Sequence, residues 1–202
     1  MNDIERALSQ ISDIKSQLAA STRFRGYAPE AVATIGFVSA VVVIAQLIFP
    51  STLAASDIQI ALIWGGVLLI NACAITIEAV ARSRRQHGGM AGAMLRGATL
   101  ATMPITLIGI VIGGVVLLYA PEVAWLLPGL WQMHVGVVGF SSYSILPHKI
   151  IWPALWYIVS GAVVLLVSAL NGSVSILLAG VPFVVGHFWI ARLLYKEGVS
   201  SS

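Results

Sequence analysis

Long apolar runs alternate with short polar segments along most of this chain, and the polar segments differ in charge. The runs predict about six helices, at 29–49, 57–81, 97–119, 123–140, 149–170 and 173–195. Each approaches the ~20 apolar residues that a bilayer crossing requires. Arg6, Lys15, Arg23 and Arg25 precede the first run, and Arg82, Arg84, Arg85 and Arg96 lie between the second and third. Lys149 follows the fourth, and Arg192 and Lys196 close the sixth. The turns at the opposite ends carry Asp57 and Glu122 but no basic residue. Basic side chains are costly to translocate and favour the anionic cytoplasmic leaflet. The expected fold class is therefore all-α: a polytopic membrane bundle of about six transmembrane helices, with both termini cytoplasmic, in a bacterial inner membrane.

A second pattern precedes the first run. Ile4, Ala7, Ile11, Ile14 and Leu18 recur at spacings of three and four, Leu8 widens the stripe, and charged residues occupy the other side. Asn2 followed by Glu5 forms a capping box. This predicts an amphipathic cytoplasmic helix over 2–20, with a linker at 21–28 containing Phe24, Arg25, Gly26 and Tyr27. Its stripe must be covered. It lies flat among headgroups, packs on the bundle, or pairs with another protein through Ile4, Leu8, Ile11, Ile14 and Leu18. Three units result: 1–28 for the helix and linker, 29–196 for the six-helix domain, and 197–202 as a disordered tail.

Prolines and glycines mark the irregular points. Gly88, Gly89 and Gly92 predict a flexible loop over 82–96. Pro104 falls inside the third run, where Thr102 or Thr106 is expected to satisfy the carbonyl it frees. Gly109 and Gly113 form a GxxxG pair suited to close helix approach. Pro128-Gly129 interrupts the fourth run, which is short and allows a broken helix. Pro182 lies inside the sixth. Asn171-Gly172-Ser173 fits a turn between two runs rather than a glycosylation acceptor.

Composition agrees with this layout. The chain is 58% hydrophobic and only 9% charged, against roughly 25% charged in soluble domains. A net charge of +3 does not indicate nucleic acid, because the basic residues flank apolar runs in separate short segments. Cys73 stands alone, which excludes an intrachain disulfide and CxxC chemistry, and it reads as a small packing residue. The charged N-terminal stretch is no cleavable signal. Tyr27, Tyr143, Trp152 and Tyr195 fall near one expected boundary, and Phe49, Tyr119 and Trp125 near the other.

Candidate chemistry is sparse. His134 and His187 fall at similar depth, so a facing pair could hold a haem iron, with Gly136, Gly139 and Gly186 giving it room. The alternative is that each histidine hydrogen-bonds a neighbouring helix. Asn71 and Glu78 share a face, near Cys73 and Thr76, and Glu78 precedes Arg82 by one turn in a favourable ion-pair order. With Trp131, Gln132, Trp156, Tyr157 and Trp189 they form a candidate pocket for a lipid or a small apolar molecule. Packing is the competing use of all seven. No Gly-x-Ser-x-Gly, His-Glu-x-x-His, P-loop or clustered carboxylates occur, so neither catalytic nor metal-binding residues are expected.

Leu127-Pro128-Gly129-Leu130-Trp131-Gln132, then Gly136, Phe140, Ser141, Leu146-Pro147 and the stretch from Trp152 to Tyr157, form a further pattern with the N-terminal Phe24-Arg25-Gly26-Tyr27. On these residues the chain resembles a group of uncharacterised bacterial six-helix membrane proteins. The resemblance implies the bundle and no activity. The functional expectation is a non-enzymatic, partner-binding or regulatory membrane component. The alternatives are a carrier or binding protein for a lipid or small apolar molecule, and a haem-binding electron-transfer subunit.

Overall fold

The computed structural model describes residues 3–21, 28–87, 91–143, 146 and 148–199, and all regular structure among them is helical. The helices are α1 (Asp3–Ser21), α2 (Pro29–Ile48), α3 (Pro50–Leu53), α4 (Asp57–His87), α5 (Ala91–Tyr119), α6 (Leu127–Ser141), α7 (Ile151–Asn171) and α8 (Ile176–Val199). Short 3-10 segments at Pro121–Leu126 and His148–Ile150 lead into α6 and α7. Six helical stretches are long and apolar enough to cross a membrane: Pro29–Ile48, Asp57–Ala81, Leu95–Tyr119, Pro121–Ser141, His148–Asn171 and Ile176–Lys196.

Two antiparallel pairs pack most extensively, α6 with α7 and α2 with α8. Glycine makes the first possible. A Cβ on Gly136 would stand 2.7 Å from the Ala154 carbonyl oxygen, and one on Gly161 would stand 2.6 Å from that of Gly129. The two backbones therefore touch, as small residues allow. In the second pair Gly36 admits Phe188 and Gly180 admits Val43, with Trp64 of α4 beside it. A core of Val43, Ile60, Trp64, Tyr157, Val164, Ala179 and Phe183 fills the space among α2, α4, α7 and α8. A smaller cluster of Ala61, Ala124 and Leu127 joins α4 to the 3-10 segment and α6.

The alternation of helices places Arg84, Arg85, Arg96, Lys149, Arg192 and Lys196 at one end of the bundle, hereafter the basic end, and Asp57 and Glu122 at the other. The far end is tied by side chains. Ser56 caps α4 by accepting from the Gln59 N–H at 3.3 Å, and Gln59 reaches back to accept from the Ala55 N–H at 2.8 Å and to donate to Thr52. Asp57 accepts from the Val174 N–H at 2.9 Å, joining the start of α4 to the turn before α8. Gly172, with φ 68°, ends α7 in the left-handed conformation that glycine adopts without strain.

Several expectations are corrected. The glycine-rich loop over 82–96 is mostly helix, because α4 runs to His87 and α5 begins at Ala91, which puts Gly92 inside α5. The break in the fourth run precedes Pro128. It lies at Val123 (φ −107°, ψ 19°), while Pro128 sits in the first turn of α6, where a missing N–H costs nothing. Helix α8 continues to Val199, so the expected tail at 197–202 begins as helix. Thr102 and Thr106 do not serve the carbonyl freed by Pro104. Each bonds the carbonyl four residues before itself, those of Ala98 and Thr102, and not that of Leu100. Asn2 and the linker residues Phe24, Arg25, Gly26 and Tyr27 lie outside the described residues, as does Leu18's side chain.

Candidate functional site

Several polar side chains of the interior are hydrogen-bonded to neighbouring helices, whereas Ser39 Oγ, Ser168 Oγ, Asn71 Nδ2 and Gln132 Oε1 are buried without a partner. Pro182 has no N–H to offer the Leu178 carbonyl one turn earlier. Gln132 of α6 supplies the missing donor, its Nε2 lying 3.0 Å from Leu178 O and 3.3 Å from Ala179 O. Trp156 of α7 donates to the carbonyl of Pro182 itself at 3.1 Å. Gln46 of α2 is completely buried, donates to Leu53 O at 3.1 Å and accepts from Trp64 Nε1 at 3.1 Å. Trp64 in turn stacks on Phe183, with ring centroids 5.3 Å apart.

His187 continues this column. Its Nδ1 lies 2.7 Å from Phe183 O and 2.8 Å from the Tyr157 hydroxyl. A carbonyl only accepts, so Nδ1 carries a proton. Tyr157 is buried and donates to Phe183 O at 3.3 Å. Rings of Trp64, Phe183, Tyr157 and His187 thus form a continuous stack of contacts through the bundle. His134 follows the same local rule, its Nδ1 lying 2.8 Å from Leu130 O.

The two histidines are not brought together. His134 lies against Gly109 of α5, whereas His187 meets Tyr157 of α7 and borders Gly36 of α2. The glycines expected to make room for haem are already filled: Gly136 by Ile158, Gly139 by Ala154 and Gly186 by Tyr157. The residues present do not fit that cofactor. Among the described residues, no group of three or more His, Cys, Asp or Glu could hold a metal ion.

The proposed apolar pocket is likewise dispersed. Trp131 donates to Gly109 O at 3.3 Å, and its ring occupies the faces of Gly65 and Gly113. The GxxxG pair of α5 therefore seats the rings of His134 and Trp131 rather than another helix backbone. Gln132, Trp156 and Tyr157 are engaged as described, and Trp189 is 37% exposed at the surface. Asn71 is buried and its Nδ2 lacks a hydrogen-bond partner. Glu78 is half-buried, while Thr76 and Cys73 are exposed, which corrects the reading of Cys73 as a packing residue. The Arg82 side chain lies outside the described residues, and with it the pair to Glu78. A cavity of about 100 Å³ between α4 and α5 is lined by none of the seven candidate pocket residues.

Sequence reasoning missed Gln46 and the link between Gln132 and Pro182. Gln46 carried a signal, since a polar side chain within an apolar run usually faces the interior. The second link joins residues 46 positions apart and has no local trace.

Fold and interior together define an all-helical bundle with six helices of membrane-crossing length and apolarity, cross-tied by buried polar side chains. No protein-family model matches the chain, and neither a curated protein nor a solved structure matches it.

Proposed function

We propose that the chain is a non-enzymatic, multi-pass protein of a bacterial inner membrane, with both termini cytoplasmic, that binds and regulates a partner protein through α1. The membrane reading is supported by the outward side of the bundle. Leu100, Leu107, Ile108, Val111, Val115 and Leu118 of α5 are all exposed, and a patch of that size is unsuited to water. The orientation rests on the basic end and the preference of cationic side chains for the cytoplasmic leaflet. This is the type of architecture that the resemblance to bacterial six-helix membrane proteins implies.

One observation carries the partner-binding role. Helix α1 runs beside α5, yet Ile4, Leu8, Ile11 and Ile14 are 68%, 62%, 50% and 56% exposed. A helix that covered its stripe against its own bundle would hide these residues. Their spacing matches the i, i+3, i+4, i+7 anchors by which an amphipathic helix enters a protein groove. Few aromatics and mixed charges make α1 a poor membrane-surface binder by comparison.

The test places a photo-crosslinking residue at Ile11 or, as control, at Gln10 of the full-length protein in membranes. A discrete protein adduct at Ile11, reduced at Gln10 and accompanied by loss of the co-purifying species when 2–20 is deleted, is the expected result. Adducts with lipid alone, or an unchanged set of co-purifying proteins after the deletion, would reject the role.

A further inference from the structure

A shallow groove lies between α4 and α5 at the basic end, with a volume of about 100 Å³. Its walls are Ile75, Thr76, Ala79 and Val80 of α4 and Leu95, Ala98, Thr99 and Thr102 of α5. Ala79 and Ala98, 6% and 7% exposed, are the buried residues of its lining. Such a volume is too small for a drug-sized ligand, whose pockets run to ~300–1,000 Å³. It suits part of a longer molecule that lies mostly outside.

Position and charge indicate which molecule. The candidate spans end at Ala81 and begin at Leu95, so the groove occupies their terminal turns. From Ile75 to Ala81 the helix rises about 9 Å, so the groove reaches in from the end of the span by less than two turns. Arg84 stands one turn beyond Val80 and Arg96 is adjacent to Leu95; both are exposed. Glu78, half-buried on α4, opposes them with one charge. The exposed Thr99 hydroxyl can donate to an ester oxygen. Basic sites between membrane helices select anionic headgroups, and guanidinium binds phosphate by paired hydrogen bonds.

We propose that this groove holds an acyl chain of an anionic phospholipid, with the lipid phosphate on Arg84 and Arg96. The site rests on the multi-pass reading above and is independent of the α1 partner. Its occupant is a bilayer lipid of the type of phosphatidylglycerol, because a mixed wall of aliphatic side chains and threonines beside a cationic rim matches the acyl-ester and phosphate parts of that molecule.

Native mass spectrometry of the full-length protein, titrated in detergent with phosphatidylglycerol or phosphatidylcholine, tests it. The wild-type chain is expected to retain phosphatidylglycerol preferentially. Arg84→Gln and Arg96→Gln should each weaken that preference about fivefold, and the double substitution about twenty-five-fold. Ala98→Leu should abolish retention with the arginines intact. Lys149→Gln and Lys196→Gln, at the same end of the bundle, should leave it unchanged. Equal retention of the two lipids by the wild type, or equal effects of the lysine and arginine substitutions, would overturn the site. If Ala98→Leu fails to fold, the two exposed arginines decide alone. Failure of the multi-pass reading is read separately, as release of the protein from membranes by alkaline carbonate.

Discussion

Gln132 donates to the carbonyl of Leu178 at 3.0 Å, the carbonyl that Pro182 leaves without its helical donor. A proline that would otherwise weaken α8 is thereby tied to α6. The same region is held by Trp156, which donates to the carbonyl of Pro182 itself. An unmatched carbonyl in an apolar interior costs ~1–3 kcal/mol, more than the net gain of an ordinary hydrogen bond.

The value of that tie depends on the proline. Gln132→Ala should lower stability by about 1–2 kcal/mol. In a Pro182→Ala background the helix can again satisfy Leu178 with its own N–H, and the cost of Gln132→Ala should fall by half or more. Unfolding in detergent for the four members of this cycle measures it. Equal costs in the two backgrounds would show that Gln132 acts by packing alone.

Glycines differ in what surrounds them, and substitutions should sort accordingly. A Cβ at Gly136 would meet Ile158 Cγ1 at 2.6 Å and backbone at 2.7 Å. Gly136→Leu should therefore separate α6 from α7 and prevent accumulation of folded protein. A Cβ at Gly97 or Gly114 meets nothing within 4 Å. Gly114→Ala should be neutral or stabilise by up to ~1 kcal/mol, because alanine is the better helix former. Thermal unfolding of the purified variants distinguishes them.

Trp64→Phe should keep the stack on Phe183 while stranding the buried carbonyl oxygen of Gln46. The expected loss is about 1–3 kcal/mol. Adding Gln46→Leu removes the stranded oxygen and should recover part of that loss, although the donor to Leu53 goes with it. A double variant no better than Trp64→Phe in a melting experiment would place the effect in ring volume.

Cys73 is exposed and is the single cysteine of the chain, so a Cys73→Ser protein is a clean background for labelling. An impermeant maleimide applied to intact cells should reach Glu122→Cys and spare Arg84→Cys until the membrane is opened. Labelling of Arg84→Cys in intact cells would reverse the proposed orientation.

The helices were legible because membrane-length apolarity is a property of local composition. Their positions along the chain needed only adjustment at the ends. The extension of α4 to His87 and the start of α5 at Ala91 were missed because polar, glycine-containing sequence reads as loop until the helix on either side supplies hydrogen bonds. The α1 stripe was also legible, since it follows from helical spacing alone. Its lack of cover was not, because cover depends on what the rest of the chain leaves vacant.

Candidate sites fared differently. The sequence placed His134 and His187 at similar depth but could not give their azimuth, and azimuth decides whether two side chains on separate helices meet. Trp131, Gln132, Trp156 and Tyr157 were recognised as interior residues without any sign of their partners. By itself, then, the sequence determined six apolar helices and the sorting of charge along the chain, both of which follow from the order of residue types. Only tertiary structure decided that Gly136 and Gly161 bring two backbones into contact, that Trp131 fills the GxxxG face, and that Gln132 serves the carbonyl beside Pro182. Those outcomes depend on rotation and distance between helices far apart in the chain, which local physical chemistry does not encode.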